Sequence, residues 1–204
     1  EELVAFAKKY NIFVIHDNAY SDIIYDGKVG ESFLSVPGAM EIGAEFFSLS
    51  KSFNVTVARV SFFLGRKDAV DALKLLRSQF DFGTFLPIQY GAIAALNGSN
   101  EFVKKQCAEY QKRRDALCGG FRSIGWNVPD SQGTMFVWAP VPEGYASSRE
   151  FCMTMVERAG VLCTPGDAFG TGGEGYVRFA LVMPPEELAK VVQAVDESGI
   201  LRRP

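Results

Sequence analysis

The chain has 204 residues, of which 48% are hydrophobic and 22% charged, and its formal net charge is −3. This composition predicts a globular protein with one large core or two smaller ones, and its mild acidity gives no electrostatic reason to expect a nucleic-acid partner. No apolar run approaches the ~18 residues that span a bilayer, and charges interrupt the apolar residues at the start, unlike a signal peptide.

Cysteine and histidine usage argues against a metal site. The four cysteines form no C-x-x-C pair, and His16 is the only histidine that could join them as a ligand. We therefore expect no metal, and thiols kept reduced in the cytoplasm. The four cysteines are Cys107, Cys118, Cys152 and Cys163.

The first half of the chain predicts helices and strands in mixed order. The opening helix lacks a capping residue and has one apolar face: Leu3, Phe6, Ala7 and Tyr10. Apolar runs predict buried strands at residues 12–15, 45–50 and 60–65. Helices should follow from Asp68 to about Gln79, and after the turn at 82–87 through Ala95. The expected buried residues of the Asp68 helix are Val70, Leu73 and Leu76.

The second half begins with the longest predicted helix, opened by Ser99 and Asn100. Apolar residues recur in it at three- and four-residue steps, and its charged run at 112–115 is most simply a solvated face. Gly119 and Gly120 weaken its end.

The remaining segments predict an α+β arrangement. Strands are expected at 134–139, 161–164 and 176–182. Ser147 and Glu150 form a capping box that starts a helix ended by Gly160. A last helix should run from the prolines at 184–185 to Gly199, with a core face of Leu188, Val191, Val192 and Val195.

The stretch around Lys51 carries the clearest chemical signal. Hydroxyls at Ser48, Ser50 and Ser52 flank the lysine, and Arg59 stands eight residues later, just before an apolar run. A lysine at the end of a buried strand is partly desolvated, which lowers its pKa and favours the free amine that forms a Schiff base. Because hydroxyls and a guanidinium bind phosphate, the pattern indicates pyridoxal phosphate, an aldehyde cofactor with a phosphate tail.

Three further side chains are candidates on their position alone. Asp17 follows a predicted strand, and ligands of open α/β sheets lie beyond the carboxyl ends of strands. Asp17 could equally cap the loop, with Tyr20 packed against it. Alternation along the strand expected at 176–182 puts Tyr176, Arg178 and Ala180 on one face and Val177, Phe179 and Leu181 on the other, apolar face. Arg178 either meets an anion or faces water from an edge strand.

Two motif matches favour other classes but lack their context. Residues 170–175 fit G-x-G-x-x-G, but a loop precedes them and a strand follows, so we interpret them as a turn. Residues 48–51 fit the S-x-x-K of penicillin-binding proteins, but that class also needs S-D-N and K-T-G, and neither occurs in this sequence.

Five segments in order resemble one family. Ser48-Leu-Ser-Lys51-Ser-Phe-Asn, followed by Arg59, resembles the cofactor lysine segment of fold-type I, class I/II aminotransferases, the aspartate aminotransferase-like family. The likeness covers nearly all of the chain, and the His16–Tyr20 and Pro37-Gly-Ala stretches look most like the branch acting on alanine, glutamate or diaminopimelate. The other four segments are His16-Asp17-Asn-Ala-Tyr20, Gly133–Trp138, Pro165–Gly170 and Tyr176–Ala180.

The resemblance implies a fold and an activity. Residues 1–98 would be the C-terminal strands of a large α/β domain that binds pyridoxal phosphate, and residues 99–204 a small α+β domain entered by a long linking helix. The activity would be amino transfer between an amino acid and a 2-oxo acid, in a homodimer. Because the chain opens inside a helix with Glu1 rather than Met, we expect it to be the C-terminal portion of a longer enzyme, inactive by itself.

The resemblance also assigns roles to residues. Lys51 would hold the cofactor covalently and later carry the substrate proton, Asp17 would pair with the pyridine nitrogen, and Tyr20 would bond the phenolic oxygen of the ring. Ser48, Ser50 and Arg59 would bind the phosphate, and Arg178 the substrate α-carboxylate. Two further assignments are support of Asp17 by His16, and Thr84 near the phosphate of a neighbouring subunit.

The sequence departs from the family around Arg59, where the common pattern is G-x-R-x-G. Ala58 and Ser61 add side-chain atoms where the backbone needs close approach to the cofactor. Two other functions stay open on sequence grounds. The chain could be a non-catalytic folded module, which would form no cofactor adduct, or an enzyme of elimination or decarboxylation, which would release ammonia or carbon dioxide.

Overall fold

The computed structural model describes residues 1–202, which divide into two compact units. The first unit spans Glu1 to Lys105, and the second begins at Gln106. The division falls inside a long helix, later than the boundary expected at residue 99. Among the described helices, none combines the length and the apolar character that crossing a membrane requires.

The first unit contains a three-stranded sheet with helices around it. Its order is β1-β2-β3, in which β1 and β2 run parallel and β3 runs antiparallel to β2. The strands are β1 (Val14–Asp17), β2 (Gly43–Ser48) and β3 (Ser61–Gly65). The helices are α1 (Glu2–Tyr10), α2 (Leu49–Ser52), α3 (Lys67–Phe80) and α4 (Leu86–Asn97).

Strand directions bring polar side chains to one edge of this sheet. The parallel strands β1 and β2 end there at Asp17 and Ser48, and antiparallel β3 starts there at Ser61. Asp17 pairs with Phe46 and Ser48 with Ser61 in the ladder. Since side chains alternate along a strand, these four residues share one face of the sheet.

Several apolar faces predicted as buried are exposed in the first unit. Helix α1 buries Val4 and Ala7 against Ala39 and Ile42, whereas three residues of the predicted face, Leu3, Phe6 and Tyr10, are more than half exposed. No residue of α3 is buried. Strand β1 begins at Val14, and its Ile15 is 59% exposed. Helical spacing identified the apolar stripes correctly, but nothing within residues 1–202 covers them.

The second unit pairs helices with an antiparallel sheet of order β4-β6-β5. Its strands are β4 (Phe136–Pro140), β5 (Thr164–Pro165) and β6 (Tyr176–Ala180). Its helices are α5 (Glu101–Ser123), which starts in the first unit, α6 (Ser148–Thr154) and α7 (Pro185–Ser198). The buried faces of β4 and β6 meet an aromatic core of Phe121, Trp126 and Phe151.

Alternation along β6 is as predicted. Val177 and Phe179 are buried, while Tyr176, Arg178 and Ala180 lie on the opposite, more open face. The two predicted glycine ends are also confirmed. Helix α6 continues as a π-helical segment (Met155–Ala159) that ends at Gly160, and α7 ends at Gly199. These glycines have φ values of 64° and 65°, which only glycine adopts without strain.

Arg114 corrects the prediction that the charged run of α5 is solvated. It is 4% exposed, and its guanidinium donates to Asp115 Oδ1 at 2.8 Å and to the Ser131 carbonyl at 3.0 Å. A buried guanidinium is stable only with such partners, and here Asp115 is the next residue on α5, while Ser131 lies in the loop that follows the helix. The G-x-G-x-x-G segment, by contrast, is a turn followed by β6, as predicted.

Replacing Ser147 with alanine should lower the free energy of unfolding by about 1 kcal/mol, within a usual range of about 0.5–2 kcal/mol. Its Oγ accepts from Glu150 N at 3.1 Å at the start of α6, and Glu150 Oε2 accepts in return from Ala146 N at 2.8 Å. Thermal unfolding of both variants measures the effect, with Ser123→Ala as the matched control, since the Ser123 hydroxyl is exposed. Equal shifts for the two variants would contradict a capping role.

Candidate active site

A cleft of about 290 Å³ opens at the sheet edge where β1 and β2 end. Four of the predicted cofactor residues line it: Asp17, Ser48, Ser50 and Arg59. The remaining wall consists of Ala19, Phe46, Val60 and Ser61. All eight belong to the first unit, so strand-end geometry brings together residues that are up to 44 positions apart in the chain.

Lys51 lies on α2, the one-turn helix that follows β2, rather than directly at the strand end. Ser48 caps this helix, because its Oγ accepts from Ser50 N at 3.1 Å. Lys51 is half-buried, and its Nζ lies 5.9 Å from the centre of the Tyr20 ring. Lys51 and Tyr20 are therefore neighbours beside the cleft, although neither is among the residues that line it.

Arg59 reaches the cleft from a left-handed turn with φ 53° and ψ 46°. Its Nη1 donates to the Thr56 carbonyl at 3.2 Å, and Thr56 Oγ1 donates to the Ser50 carbonyl at 3.0 Å. This chain of bonds ties the arginine turn to the helix that carries Lys51. Arg59 is otherwise exposed, so its remaining N–H donors are available to an anion.

The two departures from the family pattern differ in their consequences. Ala58 is half-buried and does not line the cleft. Ser61 does line it, directly opposite Ser48 in the ladder. Ser61 therefore adds a third hydroxyl to the cleft. Sequence reasoning missed this residue because the pairing of β2 with β3 cannot be read from spacing alone.

The donor set of the cleft fits pyridoxal phosphate. Three serine hydroxyls and the Arg59 guanidinium are the groups that hold a phosphate, and the Asp17 carboxylate suits a protonated ring nitrogen. The volume is at the lower end of small-ligand pockets, which measure roughly 300–1,000 Å³. The amine of Lys51 stands within the same short segment as Ser48 and Ser50.

His16 and Thr84 lie away from this cleft. His16 precedes Asp17 on β1, so it points to the other face of the sheet, where its Nδ1 is 3.3 Å from Glu45 Oε2. Thr84 lines a separate cleft of about 710 Å³ beside α3 and α4. Ser61 and Val60 form a wall of both clefts, so the two are adjacent within the first unit.

Arg178 stands on the central strand of the second sheet, which excludes the edge-strand alternative. Its guanidinium carbon is 4.2 Å from the centre of the Phe136 ring and 4.5 Å from that of Phe169. Within residues 1–202, Arg178 makes no ion pair. With aromatic rings against the guanidinium and no carboxylate paired to it, the N–H edge suits an incoming carboxylate.

Comparison with known proteins identifies the family. The family model described as aminotransferase class I and II matches residues 1–195. The chain therefore belongs to this family, whose cofactor is pyridoxal phosphate.

The individual matches are close and cover most of this chain. LL-diaminopimelate aminotransferase of Moorella thermoacetica is 44% identical over 193 residues, which are 95% of this chain and 49% of that protein. Glutamate-pyruvate aminotransferase of Escherichia coli is 42% identical over 197 residues, covering 96% and 48% respectively. The structure of an aminotransferase from Staphylococcus aureus superposes with a TM-score of 0.92 at 30% identity, over 99% of this chain and 53% of that chain. The chain spans about half the length of the curated relatives it matches.

Proposed function

We propose that this chain forms the cofactor-lysine part of a pyridoxal-phosphate-dependent aminotransferase, which moves an amino group between an amino acid and a 2-oxo acid. The observation that carries the proposal is the cleft where Asp17, Ser48, Ser50 and Arg59 converge beside Lys51. Membership of the class I and II family supports the same reaction. The names of the two relatives support diaminopimelate, glutamate and pyruvate as candidate substrates.

The cofactor, when bound, supplies an aldehyde for an amine and a ring that withdraws electrons from the substrate carbon. Lys51 Nζ would hold it covalently and, once released, would take and return the proton of the substrate carbon. The Asp17 carboxylate would keep the ring nitrogen protonated, and Tyr20 would bond the phenolic oxygen. Ser48, Ser50 and Arg59 would hold the phosphate, and we add Ser61 to this group.

The second unit supplies the substrate-binding arginine. Arg178 binds the substrate α-carboxylate through two parallel hydrogen bonds, which a planar guanidinium makes and an ammonium cannot. We further propose that residues 1–98 complete a large domain, that residues 99–204 form the small domain, and that the enzyme is a cytoplasmic homodimer. The exposed apolar faces of the first unit support the proposal of a homodimer.

Amino transfer is tested in a chimera in which this chain replaces the aligned half of the Moorella thermoacetica enzyme. We expect a 2-oxo acid and a new amino acid in equal amounts when an amino donor and pyruvate are supplied. Release of ammonia or carbon dioxide instead would favour elimination or decarboxylation. A folded chimera that forms no cofactor adduct would favour a non-catalytic module.

Asp17→Ala in this chimera should remove most of the activity, by roughly 10²- to 10⁴-fold, while the covalent adduct with Lys51 still forms. The reason is that the ring nitrogen loses the carboxylate that keeps it protonated, whereas the amine of Lys51 is untouched. Turnover and visible absorption of the adduct measure the two effects separately. Asp71→Ala, an exposed position on α3, is the control. Near-normal turnover of Asp17→Ala would make Asp17 a structural cap only.

A further inference from the structure

A buried carboxylate lies on the sheet face opposite the cleft. Glu45 is 4% exposed, and its carboxylate accepts from Asn18 Nδ2 at 2.6 Å and from Ser32 Oγ at 2.8 Å. Burial alone would raise the pKa of Glu45, but the hydrogen bonds from Asn18 and Ser32, with a smaller contribution from His16, hold that pKa below its ordinary value. The carboxylate is therefore charged at neutral pH, a state that is stable in a buried site only because donors surround it.

The first of these donors, Asn18, lies between two residues of the cleft. Asp17 and Ala19 line the cleft on either side of it, and Tyr20 follows. Asn18 is fixed from three directions. Its backbone N donates to the Phe46 carbonyl at 2.9 Å, its side chain donates to Glu45, and its own carbonyl accepts from Ser21 Oγ at 3.4 Å.

We infer that Glu45 and Asn18 form a positioning pair, which holds the turn of residues 17–20 so that Asp17 and Tyr20 face the cleft. The inference rests on the proposed function, because it assigns the pair to the cofactor site. Neither side chain touches the cleft, so neither is a catalytic residue. A hydrogen bond between a carboxylate and an amide is directional and stronger than a neutral one, which suits it to fix a turn.

Stability alone does not explain why Glu45 and Asn18 form a polar pair here. A buried ionic group is often replaceable by apolar residues without loss of stability, so its presence here is better explained by geometry. The strand β2 also links the two faces of the sheet directly. Glu45 holds Asn18 from one face, while its neighbour Phe46 lines the cleft on the other.

Swapping the amide of Asn18 and the carboxylate of Glu45 tests the inference without changing the shape of either side chain. Asn18→Asp alone places two carboxylates 2.6 Å apart, the present separation of Asn18 Nδ2 and Glu45 Oε1, and their repulsion should loosen the turn. Asn18→Asp combined with Glu45→Gln restores a hydrogen bond with its direction reversed, and the net charge stays that of the native pair. Ser32 can still donate to the remaining oxygen at position 45. Asn127→Asp, exposed in the second unit, controls for the added charge.

The first readout is amide hydrogen exchange of the cofactor-free chain. We expect residues 17–20 to exchange roughly 10- to 100-fold faster in Asn18→Asp, the factor that loss of a charged hydrogen bond represents, and to return close to native rates in the double variant. The change should be confined to this turn. Unchanged exchange in Asn18→Asp, failure of the double variant to recover, or acceleration across the whole sheet would overturn the inference.

The second readout is the affinity for pyridoxal phosphate, titrated by visible absorption. We expect Asn18→Asp to weaken binding by about tenfold or more and the double variant to recover it. Native affinity in a variant whose turn exchanges faster would reduce the pair to a structural role and overturn the inference. If neither the native chain nor the chimera forms an adduct, the proposed function fails, while the exchange rates still decide whether Glu45 and Asn18 hold the turn.

Discussion

Replacing Lys51 with alanine will abolish the covalent, borohydride-reducible adduct between this chain and pyridoxal phosphate. Lys51 is half-buried on the turn that follows β2, beside Ser48 and Ser50 of the cleft. Removal of its amine leaves the serines and Arg59 to hold the phosphate, so non-covalent binding should persist while the absorption band of the adduct disappears. In the chimera, multiple turnover should be lost as well, because the amine proposed to move the substrate proton is gone.

The matched control is Lys67→Ala, since Lys67 lies exposed on α3 and away from the cleft. It should keep the adduct and the activity unchanged. If Lys51→Ala still forms a reducible adduct with the stoichiometry of the native chain, another lysine holds the cofactor and the assignment of the cleft is wrong.

Arg178→Lys will weaken the binding of amino-acid and 2-oxo-acid substrates together, without affecting the cofactor. Losing a buried charged contact costs about 2–4 kcal/mol, which corresponds to a loss of roughly 30- to 1,000-fold in affinity. Lysine keeps the charge but not the planar pair of donors that matches a carboxylate. Steady-state kinetics of the chimera with both substrates measure substrate binding. The absorption of the adduct without substrate measures cofactor binding.

The surroundings of Arg178 explain why lysine cannot replace it. Phe136 and Phe169 lie against the guanidinium at 4.2 and 4.5 Å, an arrangement that a flexible ammonium does not reproduce. Arg149→Lys is the control, because Arg149 makes an exposed ion pair with Asp167 that contributes little. Wild-type specificity constants for both substrates in Arg178→Lys would mean that the substrate carboxylate binds elsewhere.

The local sequence pattern was sufficient to predict which side chains are buried where the chain itself covers one face of a helix or strand. The alternation of β6 was read correctly because Val177 and Phe179 meet a core that the same unit provides. The apolar stripe of α1 was located correctly, but most of it is not buried, because Leu3 and Phe6 meet no covering surface within residues 1–202. The prediction that Arg114 is solvated was wrong for the opposite reason, because a distant segment covers it. Its partner Ser131 lies 17 positions away in the sequence.

The same distinction applies to the candidate site. The convergence of Asp17 and Ser48 follows from two parallel strands that end at the same edge. The sequence indicated only that Asp17 follows a strand, and the family resemblance assigned both residues to the cofactor. The contribution of Ser61 depends on the register of β3 against β2, and the Glu45 network depends on which face each side chain takes. The assembled sheet sets both the strand register and the face on which each side chain lies, so neither could be predicted from the spacing of residues.

Identification of the lysine that carries the cofactor tests the central claim most directly. The chain is incubated with pyridoxal phosphate, reduced with borohydride and digested, and the labelled peptide is sequenced by mass spectrometry. We expect a single label, on Lys51 within the segment that joins β2 to the Arg59 turn. A label on a different lysine, or none on a chain that is folded, would contradict the assignment of this cleft as the cofactor site.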